Sequence, residues 1–213
     1  MRHLELFSGT HSFGKVSSKL GYDVISLDRD LGAECPWTDY KSKTHIKEDI
    51  MTWDYTVYPK GYFKLITASP VCTWWSLLRA SWIGRKCKTI HPTETITMDI
   101  LNAEIRKYGV PMVDKVFEIL DYFKPQYYII ENPWSGKMKD YINDLVPYID
   151  VYYCMWGFDY KKKTRFWTNL ELNNNKICNH YKHLKTLGHK NHGTTLLEKY
   201  RIPLPLIEAL LMN

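Results

Sequence analysis

A cysteine and a glutamate, each placed directly after a short apolar run, are the residues of this 213-residue sequence best suited to chemistry. Cys72 follows the run 62–67, and Glu131 follows the run 127–130. If both runs are strands of one parallel sheet, their carboxyl ends meet at the same edge. A cysteine thiolate is a strong nucleophile, and a carboxyl group can donate a proton. The pair therefore predicts one site in which both groups face one ligand.

Each of the two residues also has an ordinary structural explanation. Free cysteine is among the most buried residue types, so Cys72 alone would be assigned to the core. Glu131 alone would be a surface carboxylate, or a cap for a helix predicted over 137–145. A charge at the end of an apolar strand costs free energy unless it is paired or reacts, and burial would favour its proton-donating form. The sequence around Cys72 favours the functional interpretation.

The elements that must position these residues are those of an α/β sheet. A strand over 4–7, a helix over 12–20 and a strand over 23–27 predict a βαβ unit, with Ser12 as a candidate helix cap. Further strands are predicted over 46–50, 65–68 and 127–130, with an antiparallel pair over 150–156 and 165–169. Further helices are predicted over 98–107, 111–123, 137–145 and 203–212, with Pro111 opening the second. Residues 1–213 are expected to form a single domain.

Composition limits the class of protein without deciding it. Hydrophobic residues make up 45% of the chain, which indicates a globular protein. The net charge of +6 is consistent with a nucleic-acid partner and equally with none, and nothing indicates a protein partner. Five scattered cysteines predict no disulfide framework and hence a reducing compartment. No apolar stretch approaches the ~20 residues that span a bilayer, and no signal peptide is visible, so no membrane association is expected.

Two weaker patterns lie near the ends of predicted strands. Gly9 would let the backbone approach a ligand, and Asp28 would accept hydrogen bonds from ribose hydroxyls, although many sheets carry a glycine turn with no ligand. The charge run 161–165 is typical of a solvated loop, but Arg165 opens a strand and could face a cleft.

A group of potential metal ligands lies near the C-terminus. Cys-x-His-x-x-His is not a common zinc spacing, and no second cysteine-rich half is visible, so no metal site is predicted. Solvated histidines in an irregular segment are expected instead. The group consists of Cys178, His180, His183, His189 and His192.

Taken together and in this order, the motifs resemble the DNA (cytosine-5)-methyltransferase family over most of the chain. The segment 6–9 resembles the first family motif, Phe-x-Gly-x-Gly-Gly, with His11 and Ser12 where the later glycines would be. The segment 69–72 matches the Pro-Cys nucleophile motif, with Val71 for its second proline.

Three later segments extend the resemblance. The segment 130–133, Ile-Glu-Asn-Pro, is similar to the Glu-Asn-Val motif, and 161–165 aligns with Gln-x-Arg-x-Arg, of which only the final arginine is retained. The tail 201–206 resembles the last motif without its usual Gly-Asn pair. These variants look most like short phage- or virus-type members, which would act in the cytoplasm or at the nucleoid, and in the host cell if viral.

The resemblance implies a Rossmann-like S-adenosylmethionine-dependent methyltransferase fold: an α/β, mostly parallel sheet with an antiparallel edge pair and helices on both faces. It implies S-adenosylmethionine as cofactor and DNA as partner. The catalytic residues would be Cys72, Glu131, Asn132 and Arg165. The cofactor-binding residues would be Phe7, Ser8, Gly9, Asp28, Asp49, Ile50 and Pro70. The nucleic-acid contacts would come from Arg79, Arg85, Lys86, Lys88, Lys161 and Lys163.

The implied reaction is attack of the Cys72 thiolate on C6 of a flipped cytosine, with Glu131 at N3, before methylation at C5. The long loop after Cys72 could close over DNA, although Trp74 and Trp75 in it could equally be core residues. Two alternatives stay open: methylation of RNA cytosine, and a degenerate member that acts as a binding scaffold. The family's target-recognition region would be reduced here to about 170–195.

Overall fold

The computed structural model describes residues 1–30, 40–86, 94–142, 146–187 and 193–212, which are organised around one seven-stranded sheet with strand order β3-β2-β1-β4-β5-β7-β6. All strand pairs are parallel except those made by β7, which is antiparallel to both of its neighbours. This confirms the predicted fold class. The strands are β1 Arg2–Leu6, β2 Asp23–Leu27, β3 Thr44–Ile46, β4 Leu65–Ala68, β5 Tyr127–Pro133, β6 Tyr148–Tyr152 and β7 Lys163–Thr168.

The register of the central strands brings the segments that carry the candidate site residues to the same edge of the sheet. Leu6, the last residue of β1, is paired with Leu27 on one side and with Ala68 on the other. Ala68 is in turn paired with Ile130 of β5. The first motif, Asp28, the cysteine loop and Glu131 therefore all begin where these four strands reach the same edge, as expected for ligand sites of parallel sheets.

Helices cover both faces of the sheet and enclose two apolar cores. On one face α3 buries Val113, Val116 and Ile119 against the sheet, and on the other α1 and α6 enclose Val16 and Leu206. Full burial of such side chains stabilises the fold by about 1.5–3 kcal/mol each. The helices are α1 Ser12–Lys19, α2 Met98–Glu104, α3 Val110–Phe123, α4 Met138–Ile142, α5 Leu196–Tyr200 and α6 Leu204–Leu211. Among the described residues, no helix combines the length and apolarity that crossing a membrane requires.

The predicted break between two helices at 107–111 is wrong. A π-helical turn, Ile105–Gly109, joins α2 directly to α3. Such a turn accommodates Pro111, which cannot donate a helical hydrogen bond. A Cβ on Gly109 would lie 3.0 Å from the indole ring of Trp75, so this turn also lets the helix approach the cysteine loop closely.

Other predicted boundaries shift for local reasons. Ser12 is not the cap of α1, because His11 holds that position with a left-handed φ of 53°. The third strand occupies Thr44–Ile46 rather than 46–50. The predicted strand 150–156 divides into β6 and a 3-10 helix, Tyr153–Trp156. The predicted helix 137–145 is described only as far as Ile142.

Candidate active site

The cysteine loop leaves the carboxyl end of β4 and is tied to the neighbouring strand. The side-chain amide of Asn132 on β5 donates a hydrogen bond of 2.8 Å to the carbonyl oxygen of Pro70. The backbone N–H of Trp75 donates to the carbonyl oxygen of Cys72 at 3.1 Å and closes a tight turn. Trp75 is buried in the core, while the Cys72 side chain remains partly accessible. The buried ring of Trp75 therefore anchors the loop, which holds the Cys72 sulfur at the edge of the sheet.

Glu131 is held at the end of β5 by two side chains from the antiparallel part of the sheet. The hydroxyl of Tyr153 donates to a carboxylate oxygen of Glu131 at 3.0 Å. The ammonium group of Lys162 lies 3.8 Å from the same oxygen. Glu131 and Lys162 are both less than a tenth exposed, so their charges face each other largely away from water.

The thiol of Cys72 lies within the electrostatic field of this pair. Burial raises the pKa of the Cys72 thiol, and the negative charge of Glu131 raises it further. The positive charge of Lys162 lowers the same pKa and so partly offsets them. Burial and the Glu131 carboxylate likewise raise the pKa of the Tyr153 hydroxyl well above its usual value, which keeps this hydroxyl a donor. Thiol, carboxylate and ammonium thus form one coupled group.

Arg165 belongs to the same region but is engaged elsewhere. It is paired in register with Asn132, and its guanidinium donates two hydrogen bonds to the Asp150 carboxylate at 2.7 and 3.1 Å. The guanidinium also lies 3.6 Å from the ring centre of Tyr148. The catalytic role of Arg165 stays a prediction, and reaching a base would require it to leave Asp150.

The loop after β1 has the shape of a ligand cradle. Phe7, Gly9 and His11 all have positive φ angles, of 53°, 48° and 53°. The backbone N–H of Gly9 donates to the Asp28 carboxylate at 3.0 Å, which brings the ends of β1 and β2 together. The hydroxyl oxygen of Ser8 is buried without a hydrogen-bond partner among the described residues, so it is a polar atom that a ligand could satisfy.

A buried glutamate supports this cradle from below. Glu5 of β1 accepts a hydrogen bond of 2.8 Å from the backbone N–H of Gly14 and one of 3.0 Å from the Ser26 hydroxyl. Its carboxylate also lies 3.3 Å from the ring nitrogen Nδ1 of His11. His11 therefore occupies a position typical of glycine with its side chain fixed against Glu5 instead of pointing into the cradle.

The third part of the predicted cofactor site follows β3. The Asp49 carboxylate accepts from the backbone N–H of Met51 at 2.9 Å and lies 3.4 Å from a guanidinium nitrogen of Arg29. Ile50 is buried in the core and fixes this turn. Asp28, Asp49 and Pro70 follow β2, β3 and β4 at the same edge of the sheet, which is compatible with the predicted cofactor site.

Comparison with known proteins decides the family. A frog virus 3 (isolate Goorha) protein, named a probable DNA (cytosine-5)-methyltransferase, is 31% identical to this chain over an alignment of 234 positions that covers 99% of both proteins. The chain belongs to the DNA (cytosine-5)-methyltransferase family. This confirms the resemblance to a short, virus-type member.

One solved structure agrees with the fold of this family member. EhMeth, a methyltransferase of Entamoeba histolytica, is 14% identical with a TM-score of 0.51 and matches 85% of the chain. A mutant of DNMT2 from Spodoptera frugiperda is 13% identical with a TM-score of 0.46 and matches 92% of the chain. The chain spans 57% and 55% of these two proteins. No protein-family profile matches it.

In this methyltransferase family member, Lys162 is the site residue that the sequence analysis missed. The run 161–163 contains three lysines, whose environments differ because successive side chains point to opposite faces of an extended chain. Lys163 lies 3.7 Å from the ring centre of Trp134 and 3.4 Å from Asp150, whereas Lys162 faces Glu131. Lys162 also donates to the carbonyl oxygen of Lys199 at 2.8 Å. Nothing in the composition of the run distinguishes its buried member.

The cations predicted to meet nucleic acid occupy different environments. Arg79 is 4% exposed and hydrogen-bonds Glu104. Its guanidinium also lies close to the rings of Trp74 and Trp82. In this conformation Arg79 therefore stabilises the loop and is not accessible to a phosphate. Exposed side chains are found at Arg85, Lys86 and Lys161, and Lys163 is partly exposed. Lys88 lies outside the described residues.

Proposed function

We propose that this family member methylates C5 of cytosine in DNA through a covalent bond between Cys72 and the base. The observation that supports this most strongly is the convergence of Cys72, Glu131 and Asn132 at one sheet edge, with Asn132 bonded to the cysteine loop. Because C5 of cytosine is a weak nucleophile, addition of a thiolate to C6 is an effective way to activate it. The residues present at the edge are those this addition requires.

Cys72 would act as the nucleophile. Its thiol proton passes to water, its sulfur bonds to C6, and the electron pair of the C5–C6 double bond becomes available at C5. After C5 is methylated, the C5 proton leaves to water, the double bond forms again, and the sulfur departs as thiolate. Because burial and Glu131 raise the pKa of the thiol, Lys162 is the charge that favours the reactive thiolate.

Glu131 would hold the pyrimidine, and Asn132 would hold the loop that carries Cys72. Negative charge develops at N3 when the thiolate adds to C6, so Glu131 would donate a proton or a hydrogen bond to N3, with Tyr153 and Lys162 orienting its carboxyl group. The Asn132 side chain lies on the other face of β5 and would act indirectly, by holding the cysteine loop through its bond to the carbonyl oxygen of Pro70. Both side chains are set by the end of β5, which makes their spacing rigid.

The methyl donor is proposed to be S-adenosylmethionine, whose sulfonium supplies an electrophilic methyl group when bound. The unpartnered hydroxyl of Ser8 and the open backbone of Phe7–Gly9 fit a polar ligand at the first cradle. Asp28 would accept from ribose hydroxyls, and Asp49 with Ile50 would meet the adenine. Pro70 would separate the donor from the cytosine pocket.

DNA would approach across the cysteine loop and the start of β7. The exposed cations of these protein segments can contact DNA phosphates; they are Arg85, Lys86 and Lys161. Residues 170–195 are proposed as the reduced recognition region. Because the related protein comes from a virus, we propose that the chain acts inside the infected host cell, in its cytoplasm or on its nucleoid.

The test is transfer of labelled methyl groups from S-adenosylmethionine to DNA and, in parallel, to transfer RNA. We expect label in DNA, and a covalent complex between the wild-type chain and DNA that carries 5-fluorocytosine. Cys72→Ser should form no complex and transfer no methyl while keeping affinity for the donor. Labelling of RNA alone would change the substrate class.

Two outcomes would reject the proposed reaction. An active Cys72→Ser variant would remove the nucleophile assignment. Binding of donor and DNA by the wild-type chain without any methylation or trapping would favour the scaffold alternative. Cys35→Ser serves as the matched cysteine control, because the proposed reaction assigns no role to this cysteine, and it should still allow trapping.

A further inference from the structure

Four potential metal ligands from two distant segments meet beside the end of β6. Cys154 lies in the 3-10 helix Tyr153–Trp156, and three partners come from the irregular segment that follows β7. The candidate ligand atoms of the four residues all lie within 4.8 Å of one another. The sulfur of Cys178 is 3.7 Å from Nδ1 of His180 and 3.4 Å from Nε2 of His183. Because β5 and β6 are both antiparallel to β7, the group lies at the same edge of the sheet as Glu131.

The two separations measured from the Cys178 sulfur match those of a tetrahedral zinc site. With Zn–S bonds of about 2.3 Å and Zn–N bonds of about 2.0–2.1 Å, a tetrahedron places sulfur and nitrogen ligands about 3.6 Å apart and two sulfurs about 3.8 Å apart. Two thiolates and two neutral imidazoles also give the zinc-bound group no net charge.

We propose that Cys154, Cys178, His180 and His183 bind one structural Zn²⁺ ion. The sequence analysis predicted no metal because Cys-x-His-x-x-His is not a common zinc spacing and no second cysteine-rich half is visible. His189 and His192, which belong to the same group in the sequence, lie outside the described residues. Cys154 is the fourth ligand, and it lies 24 residues before Cys178, in a different element. Four protein ligands leave no open coordination position, which is typical of structural rather than catalytic zinc.

The segment that provides three of the ligands has little else to fold it. Residues 171–184 contain no helix or strand. Three of their large apolar side chains are exposed, Ile177 by 79%, Leu184 by 84% and Tyr181 fully, whereas Leu172 packs against one of the two cores. Because the segment buries so little apolar surface, a bound metal can supply the free energy that orders it. One further tie is a hydrogen bond of 3.0 Å from Asn175 to the carbonyl oxygen of Asp150.

The site would also connect this segment to the proposed active site. Cys154 directly follows Tyr153, whose hydroxyl holds Glu131. On the proposed function, zinc would fix residues 171–184, the core of the recognition region, against the wall of the cytosine pocket. This consequence rests on the proposed function, but binding of the metal does not.

The first experiment measures metal in the full-length wild-type chain, purified in reductant without chelator and dialysed. We expect about one zinc per chain by elemental analysis. After removal by chelator and addition of Co²⁺, we expect the visible d–d bands and the ultraviolet charge-transfer band of a tetrahedral thiolate site. A native protein with zinc at background and no such cobalt spectrum would overturn the proposal.

Variants then assign the ligands. Cys178→Ser and His183→Ala should each lower zinc to a small fraction of one per chain and change the cobalt spectrum, with circular dichroism showing that the sheet is retained. Cys72→Ser is the matched control and should keep its zinc, since its thiol is outside the cluster. Full retention of zinc by Cys178→Ser would contradict the proposal. A disulfide between Cys154 and Cys178 in the protein as purified in reductant would contradict it as well. Both metal readouts are independent of methyl transfer.

Discussion

The side-chain amide of Asn132 donates to the carbonyl oxygen of Pro70 at 2.8 Å, and this bond fixes the spacing between the proposed nucleophile loop and the strand that carries Glu131. Asn132 is 1% exposed, so its loss would leave the Pro70 carbonyl without this donor in a buried place. A small displacement of reacting groups is enough to slow an enzyme by about two orders of magnitude. The active site therefore depends on an amide that need not itself react.

Asn132→Ala tests that dependence. We expect a loss of about 1–3 kcal/mol in the free energy of unfolding and a single-turnover methylation rate reduced roughly 100-fold. Asn169→Ala is the matched control, because Asn169 donates an equally long bond of 2.8 Å to the carbonyl oxygen of Gln126 at the opposite end of β5. Equal rate losses in both variants would mean that Asn132 contributes stability alone.

Lys162→Met tests the electrostatic role of the missed lysine. Because the Lys162 cation lowers the pKa of the Cys72 thiol, its removal should shift the rise of the single-turnover rate with pH to more alkaline values. Lys162→Arg should keep the wild-type midpoint. The control is Lys64→Met, which removes an exposed lysine that bonds Gln126 at 3.3 Å. A profile unchanged by Lys162→Met would assign this lysine to folding only.

Glu131→Gln should move the same profile in the opposite direction. The Glu131 carboxylate raises the pKa of the Cys72 thiol, so its neutralisation should lower the midpoint of the pH profile. The plateau rate should fall strongly, since the group that stabilises charge at N3 is lost. If the plateau rate of Glu131→Gln equals that of the wild type, Glu131 has no part in the mechanism, even if the midpoint of the pH profile shifts. Reaction of the thiol with an alkylating reagent across pH gives an independent measure of the midpoint.

Tyr153→Phe removes one hydrogen bond from Glu131 without changing the packing of the ring. We expect about 1 kcal/mol of lost stability and a rate about tenfold lower, because the carboxylate is then oriented by Lys162 alone. Tyr122→Phe provides the control, since its hydroxyl donates to the carbonyl oxygen of Tyr58 at 3.1 Å, outside the site. Matching methylation rates for Tyr153→Phe and the wild type would refute the orienting role.

Gly109→Ala tests the close contact between the π turn and the cysteine loop. The added Cβ would meet the Trp75 ring at 3.0 Å, and we expect about 1–3 kcal/mol of destabilisation in chemical denaturation. Trp75→Phe shortens the obstructing ring, so the double variant should lose less stability than the sum of the single variants. Strict additivity of the two losses would show that the ring and the turn do not interfere.

The sequence predicts best where local pattern and burial agree. Strands 23–27 and 65–68 are predicted to the residue, because each is a short apolar run that lies between parallel neighbours and is buried except for Asp23. The fifth strand is predicted only to Ile130, although it continues to Pro133. Glu131 and Asn132 look like the start of a loop, and only their pairing with Phe166 and Arg165 makes them part of the sheet.

The features that sequence reasoning missed all depend on contacts distant in the chain. Lys162 is buried because the strand that follows it, β7, pairs with β5, and no local signal separates it from Lys161. Cys154 joins the C-terminal cysteine–histidine cluster only because the chain after β7 returns to the end of β6. The environment of Arg79 depends on Glu104, which lies in a helix 25 residues further along. Periodicity within a window of sequence holds no information about such pairs.

The antiparallel pairing of β7 with β5 fixes which residues in and next to β7 lie on the same face of the sheet as Glu131 and which lie on the same face as Asn132. Side chains on a strand alternate between its faces, so Lys162 and Thr164 share a face with Glu131, while Lys163 and Arg165 share one with Asn132. Deleting or inserting a single residue within β7 would exchange these two sets, removing the ammonium from Glu131 and turning Phe166 out of its core. Viral relatives should therefore vary freely in which basic residues they carry here, yet preserve the count between the first lysine and Phe166.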